Sequence, residues 1–369
     1  MHINLILIPF VIILGLFFSS KNTPRGRRNY ILLCSAVLLL VAALRSPEWM
    51  TNAYSIDTLN YKNTFESTFN MGWGELWQSI YMRYALRTDE YDAGYMVLNK
   101  IISTFTHQFW MFSLIADLLF FIPFGVILYR YCNNCRQIIF AFIFYIAMVQ
   151  TFFFGGARQM FSLGFDLMAL LAVIDKKKIR AIIAFLIGVT IHFSSLLFAL
   201  PLIAIWFDLK PSLLKIMHAI CFIVFPVVLA FPNQMIQFMG NTVGMEKYAE
   251  YGANTVQGGS ETFIFLIELL SLFCLLSIKR KDLMDNHILR CFYVMAPFLT
   301  FFAPLIISNG SMIRISLYYH LFLSLLVPFA IDCAFRKQNN TIIYIVAIGS
   351  LSVLTMAGGG ISYYFFWQI

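Results

Sequence analysis

Long apolar runs recur along the chain and alternate with short polar linkers. They cover Ile3–Ser20, Tyr30–Leu44, Phe109–Tyr129, Gln137–Phe154, Ala157–Ile174, Arg180–Thr190, Ser194–Phe207, Leu213–Phe231, Thr262–Ile278, Ile288–Ser308, Met312–Phe335 and Thr341–Met356. A helix needs roughly 17–25 apolar residues to cross a bilayer, and most of these runs are long enough. Only helices and closed barrels satisfy their backbone polar groups inside lipid. The pattern therefore predicts an all-α, polytopic integral membrane protein with about 12 transmembrane or near-transmembrane helices, in a single membrane domain over residues 1–369. The first run reads as an uncleaved span, because no Lys or Arg precedes it and no small-residue cleavage site follows.

Charge settles how the chain is threaded. The linkers Lys21–Arg28, Arg130–Arg136, Asp175–Arg180, Asp208–Lys215, Lys279–Arg290 and Asp332–Lys337 hold 18 of the 26 Lys and Arg. Cationic residues favour the cytoplasmic side, so these linkers are predicted to lie inside. Arg45, Lys62, Arg83, Arg87, Lys100, Arg158, Lys247 and Arg314 fall in the alternate, outer segments. The alternation holds only if Arg180–Phe207 goes out and comes back, as two short helices meeting near His192, Ser194 and Ser195. Both termini then lie outside.

Composition agrees with this picture: 60% hydrophobic, 12% charged and 39 Phe, with a mean hydropathy of +0.78. A soluble domain carries about 25% charge, so a soluble enzyme and a disordered chain are excluded. The net charge of +8 is accounted for by the inner linkers, and nucleic acid is not expected as a partner. Cys132 and Cys135 form a CxxC without a second ligand pair, which reads as a loop feature. No metal or cofactor is expected.

Two outer segments are long. Residues 46–108 contain turn signals followed by an amphipathic stretch, Ala93–Thr106, predicted to be an interfacial helix. Residues 232–261 read as a second outer loop. The inner linkers are short, which places any chemistry in the bilayer or on the outer face.

Ionisable groups at membrane depth are costly and mark candidate sites. Arg158 and Gln159 follow Gly155–Gly156 and open an inward-running helix. His192, Ser194 and Ser195 lie at an outer bend. Arg314 follows Asn309–Gly310–Ser311 and opens another inward-running helix. The free N–H groups of such helix mouths attract anions, and arginine adds a planar donor fork suited to phosphate. A cationic site for a phosphate or diphosphate at the outer face is the expectation. The alternative for both arginines is snorkelling to headgroups, and for His192 a satisfied core position. Asp57 and Tyr61 share a face at i, i+4. Asp166 lies two turns below Gln159 and suits structural pairing. Tyr318 shares the face of Arg314. No nucleotide-binding or zinc-hydrolase signature is present. An outer-face enzyme would therefore need a donor already resident in the membrane, and a lipid diphosphate-linked sugar meets that need.

Taken in order, Arg45, Asp57-Thr58-x-x-Tyr61, Gly94-Tyr95 with Leu98-Asn99, Arg158-Gln159, His192 after Lys176–Lys178, and Arg314 with Tyr318 resemble the EpsG family of polysaccharide polymerases, Wzy-like proteins of bacterial surface-polysaccharide synthesis. The resemblance runs from about Arg45 to about Tyr319. The chain departs from it at Ser55-Ile56-Asp57, where a Gly is expected before the Asp, at Asp92-Ala93-Gly94, and at Met160.

The resemblance implies a GT-C-like, metal-independent glycosyltransferase of the bacterial cytoplasmic membrane, with its site facing the periplasm or outside. It would move a growing glycan from undecaprenyl diphosphate onto another lipid-linked repeat unit. Arg158, Gln159 and Arg314, helped by Arg45, would bind the donor diphosphate. Asp57 or His192 would take the acceptor proton, and Tyr61 and Tyr318 would pack on sugar or orient a neighbour. Undecaprenyl diphosphate-linked oligosaccharides and membrane lipid are the implied partners, with a chain-length regulator as a further candidate. A lipid-linked oligosaccharide ligase and a polysaccharide transporter or flippase are the competing readings.

Overall fold

A computed structural model describes residues 3–19, 23–47, 53–86, 92–243, 261–336, 340–357 and 363–367. Among these the chain is helical, with no named strand and one isolated bridge pairing Arg45 with Phe365. Five helices are long and apolar enough to cross a membrane, or six if one bent pair counts as a span; several others are shorter apolar helices. The chain divides into two compact units, Met1–Leu196 with Ile345–Ile369, and Leu197–Tyr344.

The first unit contains α1 (Asn4–Ser19), α2 (Pro24–Ala43), α3 (Ala53–Asn70), α4 (Trp73–Leu86), α5 (Ala93–Ser103), α6 (Phe109–Tyr131), α7 (Cys135–Met148), α8 (Gln150–Phe154), α9 (Ala157–Ile174) and α10 (Lys178–Ile191). Local chemistry sets the starts. Thr23 caps α2 by accepting from Gly26 N at 3.0 Å, with Pro24 in the first turn. Asn134 caps α7 by accepting from Gln137 N at 3.1 Å.

Packing of α9 against α6 depends on Gly164. A Cβ there would lie 2.4 Å from the Leu119 carbonyl oxygen and 2.8 Å from its carbon. Backbone cannot move aside as a side chain would, and small residues are what let membrane helices approach this closely. Gly164→Ala is expected to destabilise the protein by about 1–3 kcal/mol, the usual cost of overpacking; thermal unfolding in detergent checks it. Arg130 Nη1 donates to Asp175 Oδ1 at 3.0 Å, joining the C-terminal ends of α6 and α9. Partial burial pushes the Asp175 carboxyl up, but Arg130 and Lys177 outweigh it and hold it below the usual carboxylate range.

Residues 46–108 hold more helix than the sequence pattern predicts. Besides the expected amphipathic helix, which is α5, the segment forms α3 and α4. α3 is polar and α4 amphipathic, and both gain order from tertiary contact. The Lys100 ammonium on α5 donates to the carbonyls of Thr68 (3.4 Å) and Phe69 (3.3 Å), closing the end of α3 where the helix dipole favours a cation. Leu76 and Ile80 of α4 pack on Met96 of α5. Trp73, Trp77 and Tyr81 remain exposed along the rest of α4.

The second unit contains α11 (Ala199–Trp206), α12 (Pro211–Ala230), α13 (Pro232–Val243), α14 (Glu261–Ser277), α15 (Arg280–Asp285), α16 (His287–Tyr293), α17 (Met295–Phe302), α18 (Ile313–His320) and α19 (Leu323–Ala334), and α20 (Thr341–Ala357) follows them. The expected loop at 232–261 begins as α13, and residues 244–260 lie outside the described residues. The run Met312–Phe335, read as one span, is broken: the segments Gly310–His320 and Leu323–Ala334 meet at 52°. At the break Phe322, Ser324 and Leu325 bond to carbonyls three residues back, at 3.0, 3.1 and 3.0 Å. The tighter 3-10 turn replaces the α-helical ladder there. In the interior of this unit His218 is held at both ring nitrogens, 2.8 Å from the Tyr293 hydroxyl and 2.9 Å from Ser271 Oγ.

Candidate active site at the mouth of α9

Gly155 and Gly156 let the chain turn sharply from α8 into α9; a Cβ on Gly156 would sit 2.9 Å from the Phe152 carbonyl oxygen. Arg158 follows in the first turn of α9. Its guanidinium carbon lies 5.7 Å from the Tyr61 ring centre and 5.8 Å from that of Tyr95, within cation–π range. The two tyrosine rings meet edge to face at 5.9 Å. Beneath them Phe65, Ile102, Phe112, Ala116, Phe161 and Ile191 complete an apolar cluster from α3, α5, α6, α9 and α10. Arg158 is thus clasped by rings on a rigid floor.

Two further charged groups stand beside it. Asp92 Oδ2 is 3.8 Å from Arg158 Nη1 and 3.4 Å from His192 Nδ1. The side chains of Arg158, Asp92 and His192 keep 17%, 24% and 13% of their exposure, so a ligand can reach all three. A cation, an imidazole and a carboxylate from α9, the end of α10 and the start of α5 therefore share one partly open place.

His192 is positioned from below. Its backbone N donates to Gly188 O at 3.0 Å, and Ser195 N donates to His192 O at 2.9 Å. The Ser195 hydroxyl lies 2.7 and 2.8 Å from the two oxygens of Asp166, all fully buried. Asp166 thereby pins the bend after α10 to α9, the structural pairing expected of it. Gly188 leaves the room: a Cβ would come within 3.0 Å of Asp166 Oδ1 and 3.2 Å of Ser195 Oγ.

The remaining residues singled out in the sequence lie as follows. Gln159 is buried beside Arg158 in the first turn of α9. Asp57 is half-buried on α3, one turn before Tyr61. Its neighbour Thr58 donates to Phe154 O at 2.8 Å and accepts from Arg45 Nη2 at 3.4 Å. The Arg45 guanidinium lies over the Phe154 ring at 4.7 Å. Arg45 is thus built into the junction of α2, α3 and α8. In the second unit, Asn309 Oδ1 accepts from Ser311 N at 2.9 Å and caps the turn leading into α18. Arg314 sits half-buried in the first turn of α18, and Tyr318 is buried one turn on. Among the described residues no group of three or more His, Cys, Asp or Glu is placed to hold a metal.

Asp92 is the site residue that the sequence reading passed over. It appeared there only as a departure from a turn pattern. Its sequence signal is modest: an Asp immediately before a predicted amphipathic helix reads as an N-cap.

The helices define a helical integral-membrane protein, and its family match makes it polysaccharide-polymerase-like. The EpsG family model matches residues 30–358, nearly the whole length, and the chain belongs to the EpsG family, which is related to the Wzy-like polymerases. No curated protein and no solved structure matches it.

Proposed function

We propose that this protein is a polymerase of bacterial surface polysaccharide, a membrane-embedded glycosyltransferase acting on the outer face of the cytoplasmic membrane. It transfers a growing glycan from undecaprenyl diphosphate to the sugar hydroxyl of a second lipid-linked repeat unit. The observation that carries the reading is the ring-clasped Arg158 with His192 beside it. A permanently charged, partly exposed donor fork is suited to diphosphate oxygens, and the adjacent imidazole to proton transfer.

In the proposed reaction the acceptor oxygen attacks the anomeric carbon and a new glycosidic bond forms. The bond from that carbon to the phosphate oxygen breaks, and undecaprenyl diphosphate leaves. The hydroxyl proton passes to His192, with Asp57 as the other candidate base. Arg158 and Gln159 stabilise charge growing on the leaving group. Tyr61 shapes the clasp around Arg158, and Arg45 holds Thr58 and the neighbourhood of Asp57. Arg314 is assigned a diphosphate-binding role from its own helix mouth, with Tyr318 packing on its face; Arg314→Ala is expected to lower polymer yield by at least about tenfold, the loss of one charge-assisted contact.

The test is purified protein in lipid with undecaprenyl diphosphate-linked repeat units and no membrane potential. A ladder of glycans is expected. A single added block would mean a ligase, and no longer product in an intact, folded preparation would mean that the chemistry lies elsewhere.

A further inference from the structure

Resting on the reading of His192 as the acceptor base, we propose that Asp92 is the positioning residue of the reaction, fixing the tautomer of His192 and holding it beside Arg158. Asp92 occupies the N-cap of α5, where an Asp side chain ordinarily accepts from an N–H in the first turn. Here it makes no such bond. Its carboxylate turns instead to His192 Nδ1 and Arg158 Nη1.

A neutral imidazole carries one N–H. With that hydrogen on Nδ1 and directed to Asp92, the lone pair resides on Nε2. Nε2 then takes the acceptor's proton as the acceptor oxygen bonds to the anomeric carbon and the phosphate oxygen departs. The Asp92 carboxylate stabilises the imidazolium that forms. Its second contact sets the spacing between the base and the arginine assigned to the leaving group.

The charged groups around His192 come from three elements. Asp92 approaches from α5. Arg158 and Asp166 approach from α9, and Asp166 is occupied by Ser195. Lys100 of α5 is turned to the end of α3. On α10 itself Lys178 and Arg180 lie at the opposite end of the helix.

The test uses the full-length protein with Asp92→Asn, Asp92→Glu and His192→Ala. Asp92→Asn is expected to lower kcat about 100-fold, in the range general acid–base groups contribute, with little change in KM. Without the neighbouring negative charge the imidazole sheds its proton more easily, so the acidic limb of the rate–pH profile moves to lower pH. Asp92→Glu restores the charge and is expected to recover at least about tenfold over Asn. A role confined to packing α5 would lower the melting temperature and affect Asn and Glu alike, and that result overturns the proposal. So does Asp92→Asn with unchanged kcat and profile while His192→Ala is inactive, which leaves the base reading intact. Full activity of His192→Ala removes the base itself, and the role of Asp92 with it.

Discussion

Arg158→Ala should abolish chain elongation while the protein still inserts and folds. Arg158 lies in the first turn of α9, where the helix macrodipole already favours an anion, and its guanidinium is fixed by Tyr61, Tyr95 and Asp92. Removing a preorganised donor of this kind costs about 100- to 1000-fold in turnover. The fold should survive, because the rings retain Phe65, Phe112 and Phe161 beneath them, and the lost group is partly exposed. Arg158→Lys should recover little, since a point charge replaces a planar fork that also stacks on rings. Glycan length on gels, beside a melting curve for each variant, checks both halves of this expectation. Normal glycan length in Arg158→Ala would remove Arg158 from the reaction.

Gly94→Val should damage both assembly and activity. Gly94 is the second residue of α5, and a Cβ there would fall 2.3 Å from Thr190 Oγ1 and 2.7 Å from the Thr190 carbonyl carbon and oxygen. A hydroxyl can rotate away, but the carbonyl belongs to the last turn of α10 and cannot. The start of α5 must then move off the end of α10, and Asp92 and His192 lie on those two ends. Overpacking by extra methylenes costs about 1–3 kcal/mol, and valine should reach the upper part of that range. The gap between Asp92 and His192 should widen with it. Gly94→Ala should show the same loss in milder form. Thermal unfolding together with elongation rate reads both effects. A variant that melts like the parent and elongates normally would mean that α5 and α10 are not held this closely.

Much of the fold was legible because apolar runs carry it. α2, α6, α9 and α12 coincide with long apolar stretches, and the helix break at His192 was expected from charge alternation. Residues placed next to a backbone break were legible too: Gly155-Gly156 announces the mouth that holds Arg158. The polar or amphipathic helices α3, α4 and α13 were not. Their order comes from partners distant in sequence, such as Lys100 for the end of α3, and apolar period does not record that. The break between α18 and α19 lies inside one apolar run whose only proline, Pro328, falls beyond the break within α19. Asp92 was missed for the same reason: it meets His192 across 100 residues of chain, whereas its local sequence suggests only a cap.

Binding of undecaprenyl diphosphate by the purified protein in nanodiscs, followed by native mass spectrometry for the parent and Arg158→Ala, tests the diphosphate site most directly. A charge-assisted contact contributes about 1.5–3 kcal/mol, so affinity is expected to fall at least about tenfold in the variant while the protein stays folded. Equal affinity in parent and variant would contradict the assignment of Arg158 to the lipid diphosphate.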